Sequence, residues 1–167
     1  MMFTEKTVKE LAQVLGEKLT NADLVATTAE SCTGGGVAYA ITEISGSSLW
    51  FDRSFVTYSN GAKIQMLDVE EHLIQEFGAV SKEVVNAMAI GAIKNSDADI
   101  AVAISGIAGP DGGTEEKPVG TVCIAWYNAH SGHKTETYLF VGERSEVRTQ
   151  AIRLALLGLI DSVDMLN

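Results

Sequence analysis

The sequence predicts an α/β protein with a mixed, mostly parallel sheet. Three observations carry this. Short apolar or β-branched runs alternate with longer segments whose apolar residues recur at helical spacing. The run Asp99-Ile-Ala-Val-Ala-Ile-Ser105 is almost unbroken apolar sequence, as in a central strand buried on both faces. Asn128-Ala129-His130-Ser131-Gly132 has hairpin chemistry, which adds an antiparallel pair.

Taken in order, residues 4–19 place Val8, Leu11, Ala12, Leu15 and Leu19 on one helical face, with Thr4 as the expected N-cap. Residues 24–28 read as the first strand. The turn Thr28-Ala29-Glu30-Ser31-Cys32-Thr33-Gly34-Gly35-Gly36 leads into a helix over 37–44, which Ser45-Gly46-Ser47-Ser48 stops. Aromatic and β-branched content favours a second strand over 53–58. Ser59 or Asn60 can then cap a short helix from Ala62, with Lys63 in its first turn. Helical spacing returns over 69–77, which Gly78 ends, and from Ser81 to about Asn95, where Val84, Val85, Met88, Ala92 and Ile93 form the buried face. After the central strand comes the loop Gly106-Ile107-Ala108-Gly109-Pro110-Asp111-Gly112-Gly113, and then a polar stretch over 114–118. Strands over 119–127 and 133–141 flank the hairpin. Gly142-Glu143-Arg144-Ser145 opens a last helix reaching about residue 166.

The chain has 167 residues, and no repeat or linker divides it, so one domain over 1–167 is expected. Its net charge of −10 argues against nucleic-acid or anionic-membrane binding, which needs a basic surface. A small phosphorylated ligand held by a few local cations remains compatible. Cys32 and Cys123 form neither a CxxC pair nor a disulfide framework. With no signal-peptide pattern and no apolar run long enough to span a bilayer, a cytoplasmic location is expected. A homo-oligomer is left open.

Two glycine-rich loops follow strands, and ligands in open α/β sheets bind beyond the carboxyl ends of strands. In the first loop, Ser31 and Thr33 sit where glycines let backbone amides converge and where a helix begins, which suits a nucleophile or an anion. An ordinary β–α connection would carry the same glycines. Histidine catalysis is unattractive, because His72 lies in a polar helix segment and His130 and His133 flank the hairpin tip. No third ligand accompanies His130 and His133, so no metal is expected. A serine can instead be activated by a neutral lysine. Ser31 and Lys63 both follow strands and share one sheet edge if those strands are parallel. Such a base needs its pKa lowered from ~10.4 by burial or a neighbouring cation such as Arg144 or Lys117. Tyr58 could relay the proton. Cys32 is a rival nucleophile but reads as a packing residue. Arg144 and Arg148 lie four apart at the start of the last helix, where cations are locally unfavourable. Either an anionic ligand or a salt bridge to Glu143 or Glu146 would account for them.

These residues resemble the CinA C-terminal domain family. The resemblance rests on Thr28-Ala29-Glu30-Ser31-Cys32-Thr33-Gly34-Gly35, Thr57-Tyr58-Ser59-Asn60 with Lys63, Gly78-Ala79-Val80-Ser81, Ser105-Gly106-Ile107-Ala108-Gly109-Pro110-Asp111-Gly112-Gly113 and Lys117-Pro118-Val119-Gly120-Thr121-Val122. It covers nearly the whole chain and looks like the stand-alone form, without the N-terminal nucleotide-hydrolase-like domain of longer members. Where many relatives carry threonine this chain has Ser105, and where they often carry Gly-Asp-Arg it has Gly142-Glu143-Arg144.

The resemblance implies a three-layer α/β/α sandwich. It implies hydrolysis of the nicotinamide mononucleotide carboxamide to nicotinate mononucleotide and ammonia, in pyridine-nucleotide salvage, with no cofactor or metal. Ser31 is then the expected nucleophile and Lys63 the base, with Tyr58 in support. Thr33, Gly34 and Gly35 would bind the oxyanion. Ser105, Gly106, Gly109, Gly112, Gly113 and Arg144 would hold the ribose phosphate. The alternative is a catalytically silent nucleotide-binding module or sensor of the same fold.

Overall fold

The computed structural model describes residues 5–165. Helix α1 (Val8–Ala22) starts at a capping box: the Thr7 hydroxyl accepts from the Glu10 amide at 3.2 Å, and the Thr7 amide donates to the Glu10 carboxylate at 2.7 Å. The N-cap is therefore Thr7, and Thr4 lies outside the described residues, as does residue 166. The remaining elements are β1 (Ala26–Glu30), α2 (Gly36–Thr42), a 3-10 turn (Ser47–Leu49), β2 (Phe51–Val56), α3 (Asn60–Leu67), α4 (Glu71–Phe77), α5 (Lys82–Lys94), β3 (Ile100–Gly106), β4 (Thr121–Asn128), β5 (Gly132–Leu139) and α6 (Arg144–Asp164).

The first two strands sit two residues from their expected positions, in opposite directions. β1 begins at Ala26 because the preceding amides are already committed. Leu24 donates to the Leu19 carbonyl at 3.0 Å, and Val25 donates to the Asp99 carboxylate at 2.8 Å. β2 begins at Phe51, directly after Trp50, whose indole is buried against Gly16 of α1.

The sheet order is β2-β1-β3-β4-β5. β1 pairs parallel with both β2 and β3, while β4 is antiparallel to β3 and to β5. Four strands therefore point one way and β4 alone is reversed, which gives the mixed, mostly parallel sheet. Both faces are covered. In β3, Ile100, Val102 and Ile104 enter one core with α1, α2 and α6. Ala101 and Ala103 enter the other, which contains Val84, Val85 and Met88 of α5 and Leu67 of α3. Helix, sheet, helix makes the three layers. The small alanines on the second face let α5 approach closely. Among the described residues no helix is long and apolar enough to cross a membrane.

The consequence for function lies in the register. Glu30, the last residue of β1, aligns with Val56 of β2 and Ile104 of β3. The residues that follow, Ser31, Thr57 and Ser105, lie side by side at one edge. The Thr57 amide donates to the Glu30 carbonyl at 2.9 Å, and the Ser31 amide to the Ile104 carbonyl at 3.0 Å.

Candidate active site

Ser31 sits in the turn after β1 and is 8% exposed. Lys63 arrives from α3, which Ser59 caps by accepting from the Ala62 amide at 3.1 Å. The helix starts at Asn60, so Lys63 falls in its first turn, as expected. Its side chain passes into the interior, where the residue is only 1% exposed, and Nζ lies 3.0 Å from Ser31 Oγ. Nζ also donates to the carbonyls of Thr57 at 2.9 Å and Tyr58 at 3.4 Å. Among the described residues it makes no ion pair with a carboxylate.

Burial holds the Lys63 ammonium below the ordinary lysine pKa. Neither Arg144 nor Lys117 lowers it. Lys117 donates instead to the Phe77 carbonyl at 2.7 Å. Nζ thus has three oxygen partners, the Thr57 and Tyr58 carbonyls and Ser31 Oγ, and the Ser31 hydroxyl itself lies 3.5 Å from the Tyr58 carbonyl. In its neutral form the amine would keep two N–H donors and could accept from Ser31. The structure thus brings together Ser31 and Lys63, the two residues expected from the sequence to act as nucleophile and base. Cys32 is 6% exposed, and burial pushes its thiol up to about 11, so the neighbouring thiolate is not formed near neutral pH.

A cleft of about 290 Å³ opens over this pair, lined among others by Ser31, Cys32, Tyr58, Lys63, Ser105 and Arg144. A larger groove of about 810 Å³ runs between α1 and the connection around Ser45 to Trp50, but no nucleophile–base pair faces it. Ser105 is 2% exposed at the end of β3. Arg144 reaches the rim of the cleft, where its guanidinium donates to the Gly109 carbonyl at 2.7 Å and the Tyr58 hydroxyl at 3.3 Å. Tyr58 thus meets Lys63 through its carbonyl and Arg144 through its hydroxyl.

The glycines divide by location. Gly106 lines the cleft, and a Cβ there would lie 3.1 Å from Cys32 Sγ and 2.7 Å from Val122. Gly109 contributes its carbonyl to Arg144. Gly112 and Gly113 are not among the residues lining the cleft, and a Cβ on Gly113 would lie 2.7 Å from the Val119 amide nitrogen. Gly34 and Gly35 adopt φ of 59° and 93°, which closes the turn after Ser31. They and Thr33 lie outside the cleft lining. The Gly34 amide is committed to the Ser31 carbonyl at 3.0 Å. Among the described residues, the Cys32 amide reaches no acceptor but its own side-chain sulfur, and the Thr33 amide makes no hydrogen bond.

Two residues stand out whose partners sequence reasoning did not find. Glu30 is fully buried. One carboxylate oxygen accepts from the Thr33 hydroxyl at 2.7 Å and the Val37 amide at 2.9 Å. The other accepts from the Ala38 amide at 3.0 Å and lies 3.2 and 3.3 Å from the hydroxyls of Thr28 and Ser54. The start of α2, expected to face a nucleophile or ligand, therefore faces the chain's own carboxylate. Arg148 was expected to meet a ligand anion or a carboxylate. Its guanidinium instead donates to the carbonyls of Cys32 and Thr33, both at 3.1 Å. The signal for Glu30 was an acid inside an otherwise uncharged strand end.

Among the described residues no group of three or more His, Cys, Asp and Glu side chains is placed to hold a metal ion. His72 lies beside Glu70, and His130 beside Asp99 at the opposite end of β3 from Ser105.

Comparison with known proteins identifies the family. The model of the CinA C-terminal domain matches residues 8–163. Nicotinamide-nucleotide amidohydrolase PncC of Escherichia coli K12 is 54% identical over 154 residues, covering 92% of this chain and 93% of that protein. The protein of the same name from Pseudomonas putida is 52% identical over 153 residues, covering 92% and 95%. Among solved structures, the competence/damage inducible protein CihA of Agrobacterium tumefaciens superposes with a TM-score of 0.92 at 43% identity, covering 96% of this chain and 98% of that one. With most of its length matched by the family model and by relatives at about half identity, this chain belongs to the CinA C-terminal domain family.

Proposed function

We propose that this chain is a nicotinamide-nucleotide amidohydrolase, acting as one catalytic unit, which converts nicotinamide mononucleotide to nicotinate mononucleotide and ammonia in pyridine-nucleotide salvage. The observation that carries the reading is the 3.0 Å approach of the buried Lys63 amine to Ser31 Oγ. The printed names of the E. coli and P. putida relatives support the substrate class. Two free, buried cysteines fit a reducing, cytoplasmic setting.

The geometry supports the following sequence. Neutral Lys63 accepts the Ser31 proton as Oγ attacks the carboxamide carbon. The Cys32 amide, which belongs to the residue after the nucleophile, donates to the developing oxyanion. One such donor contributes roughly 2.7–4 kcal/mol to the transition state. Lys63 then returns the proton to the departing nitrogen as the C–N bond breaks, releasing ammonia and leaving an ester on Ser31. Lys63 next takes a proton from water, whose oxygen attacks the ester carbonyl. The ester C–O bond breaks, and the proton returns to Ser31 Oγ. Thr57 and Tyr58 hold the amine through their carbonyls. Arg144, with the Tyr58 hydroxyl beside it, takes the phosphate at the rim, while Ser105 and Gly106 border the ribose.

Ammonia release from the purified chain supplied with nicotinamide mononucleotide tests the reading. Ser31→Ala abolishes release while the fold is kept, and Cys32→Ala retains most of it. Lys63→Arg keeps the charge but supplies no base near neutral pH, so turnover falls by about 10²–10⁴-fold while the substrate still binds. Saturable binding by the unaltered chain without ammonia would make it a silent module. Near-normal turnover in Lys63→Arg would remove the serine–lysine mechanism.

A further inference from the structure

In the turn that carries the nucleophile, the carbonyls of Ser31, Cys32 and Thr33 are each engaged. The Ser31 carbonyl accepts from the Gly34 amide at 3.0 Å. The Cys32 carbonyl accepts from Arg148 Nε at 3.1 Å, and the Thr33 carbonyl from Arg148 Nη2 at 3.1 Å and the Gly36 amide at 3.0 Å. In a trans peptide unit the carbonyl of one residue and the amide of the next point in opposite directions. Fixing the Cys32 carbonyl therefore turns the Thr33 amide away from Arg148. Holding the Thr33 carbonyl sets the plane from which the Gly34 amide reaches back to Ser31, and that bond in turn sets the direction of the Cys32 amide. The two amides so aimed are those of Cys32 and Thr33, which donate to no other residue among the described residues. Cys32 lines the cleft beside Ser31.

From this arrangement we propose that Arg148 is a positioning residue for the oxyanion site: its guanidinium grips the backbone of the nucleophile turn and thereby aims the Cys32 amide at the developing oxyanion. The inference rests on the serine mechanism above. Two features separate Arg148 from a ligand contact. Both of its donated bonds go to main-chain carbonyls, and it is absent from the cleft lining, where its neighbour Arg144 is present. A planar fork suits two carbonyls spaced one residue apart, whereas an ammonium is a single point charge. Arg148→Lys therefore keeps the cation and loses the second anchor. Gly34, with φ of 59°, lies close enough that a Cβ would be 3.6 Å from Arg148 Nη2, so the turn and the guanidinium are packed together.

The test pairs two readouts on Arg148→Gln and Arg148→Lys. The first is the separation of kcat from KM for nicotinamide mononucleotide. The second is the rate at which an uncharged alkyl fluorophosphonate phosphonylates Ser31, which needs the oxyanion site but presents no anion to a phosphate-binding arginine. In Arg148→Gln both kcat and the phosphonylation rate fall by about 10²-fold, the scale of a misplaced catalytic group, with KM nearly unchanged. Arg148→Lys recovers part of both. A wild-type phosphonylation rate in either variant overturns the inference, as does a loss confined to KM, which would make Arg148 a substrate contact. If the unaltered chain is phosphonylated at Ser31 yet releases no ammonia, the assigned reaction fails, while the role of Arg148 is still decided by the phosphonylation rates.

Discussion

Lys63 is the residue on which the proposed chemistry turns, because its environment opposes the charge that lysine ordinarily carries. At 1% exposure the ammonium loses its hydration, and two carbonyls and a hydroxyl replace only part of it. Burial therefore lowers the folded pKa, which makes the neutral base available at lower pH than on an exposed lysine. With the free amine as the active form, kcat/KM is expected to rise with pH, with its midpoint below the ordinary value of ~10.4. Stability follows the same sign. Between the folded and unfolded pKa values the unfolded chain binds more protons at this site, so stability rises with pH across that window. Below the folded value the cost of burying the charge is felt in full. Lys63→Met removes the titration. Its stability relative to the unaltered chain should increase as pH falls through the window, as read from urea midpoints over a pH series. A difference between the two proteins that does not vary with pH would show that Lys63 titrates as an ordinary lysine.

At the scale of elements, Lys63 is placed by α3, and α3 is placed by α5. A Cβ on Gly91 of α5 would collide with the Leu67 carbonyl at the end of α3. Gly91→Ala should therefore overpack this contact by about 1–3 kcal/mol and lower turnover as well, because the helix holding the base is displaced. Gly16→Ala is the matched control. Its Cβ would lie 2.6 Å from the Trp50 indole on the opposite layer, and α1 holds no group of the site. Urea midpoints and ammonia release per folded protein, measured on both variants, separate lost stability from a displaced base, and equal turnover in the two would detach α3 from α5. The same elements show what a sequence can reveal. The cap at Ser59, the stop at Gly78, the start at Ser81 and the hairpin at 128–132 were legible because single residues with local hydrogen-bonding or backbone preferences set them. Strand limits were not, since the start of β1 depends on Asp99, more than seventy positions away, taking the Val25 amide. Glu30 was illegible for the same reason, because its donors come from β1, β2 and α2 together. Ser31 and Lys63 could be paired from sequence only on the assumption of parallel strands, and Arg148 could be read as a cation but not as a clamp on backbone.

On the scale of the whole molecule, the site exists because four strands deliver their carboxyl ends to one edge of the sheet. β1 supplies Ser31, β2 leads to Lys63, and β3 ends at Ser105 and Gly106. β1 lies between β2 and β3, and the chain crosses one face of the sheet after β1 and the other after β2. The cleft thus forms where connections leave in opposite directions, the usual ligand site of open α/β sheets. The antiparallel hairpin has a part in this as well. β4 carries the chain away from that edge and β5 brings it back, so that Arg144 at the start of α6 arrives beside the cleft. There its guanidinium meets only the Gly109 carbonyl and the Tyr58 hydroxyl among the described residues, and no carboxylate neutralises it. In a chain of net charge −10 this leaves a cation at the mouth of the cleft over Ser31. It matches a ligand whose reactive amide lies deep and whose phosphate lies at the rim. A charge-assisted contact contributes about 1.5–3 kcal/mol, or roughly 10- to 150-fold in affinity. Arg144→Ala should therefore raise KM for nicotinamide mononucleotide by a factor in that range, and should change the weaker hydrolysis of the phosphate-free riboside much less. Measuring both substrates on both proteins isolates the phosphate contribution, since every interaction common to the two substrates cancels. Equal losses on the two would assign Arg144 to holding the 106–113 loop and Tyr58 in place, and the phosphate would have to be sought at another cation.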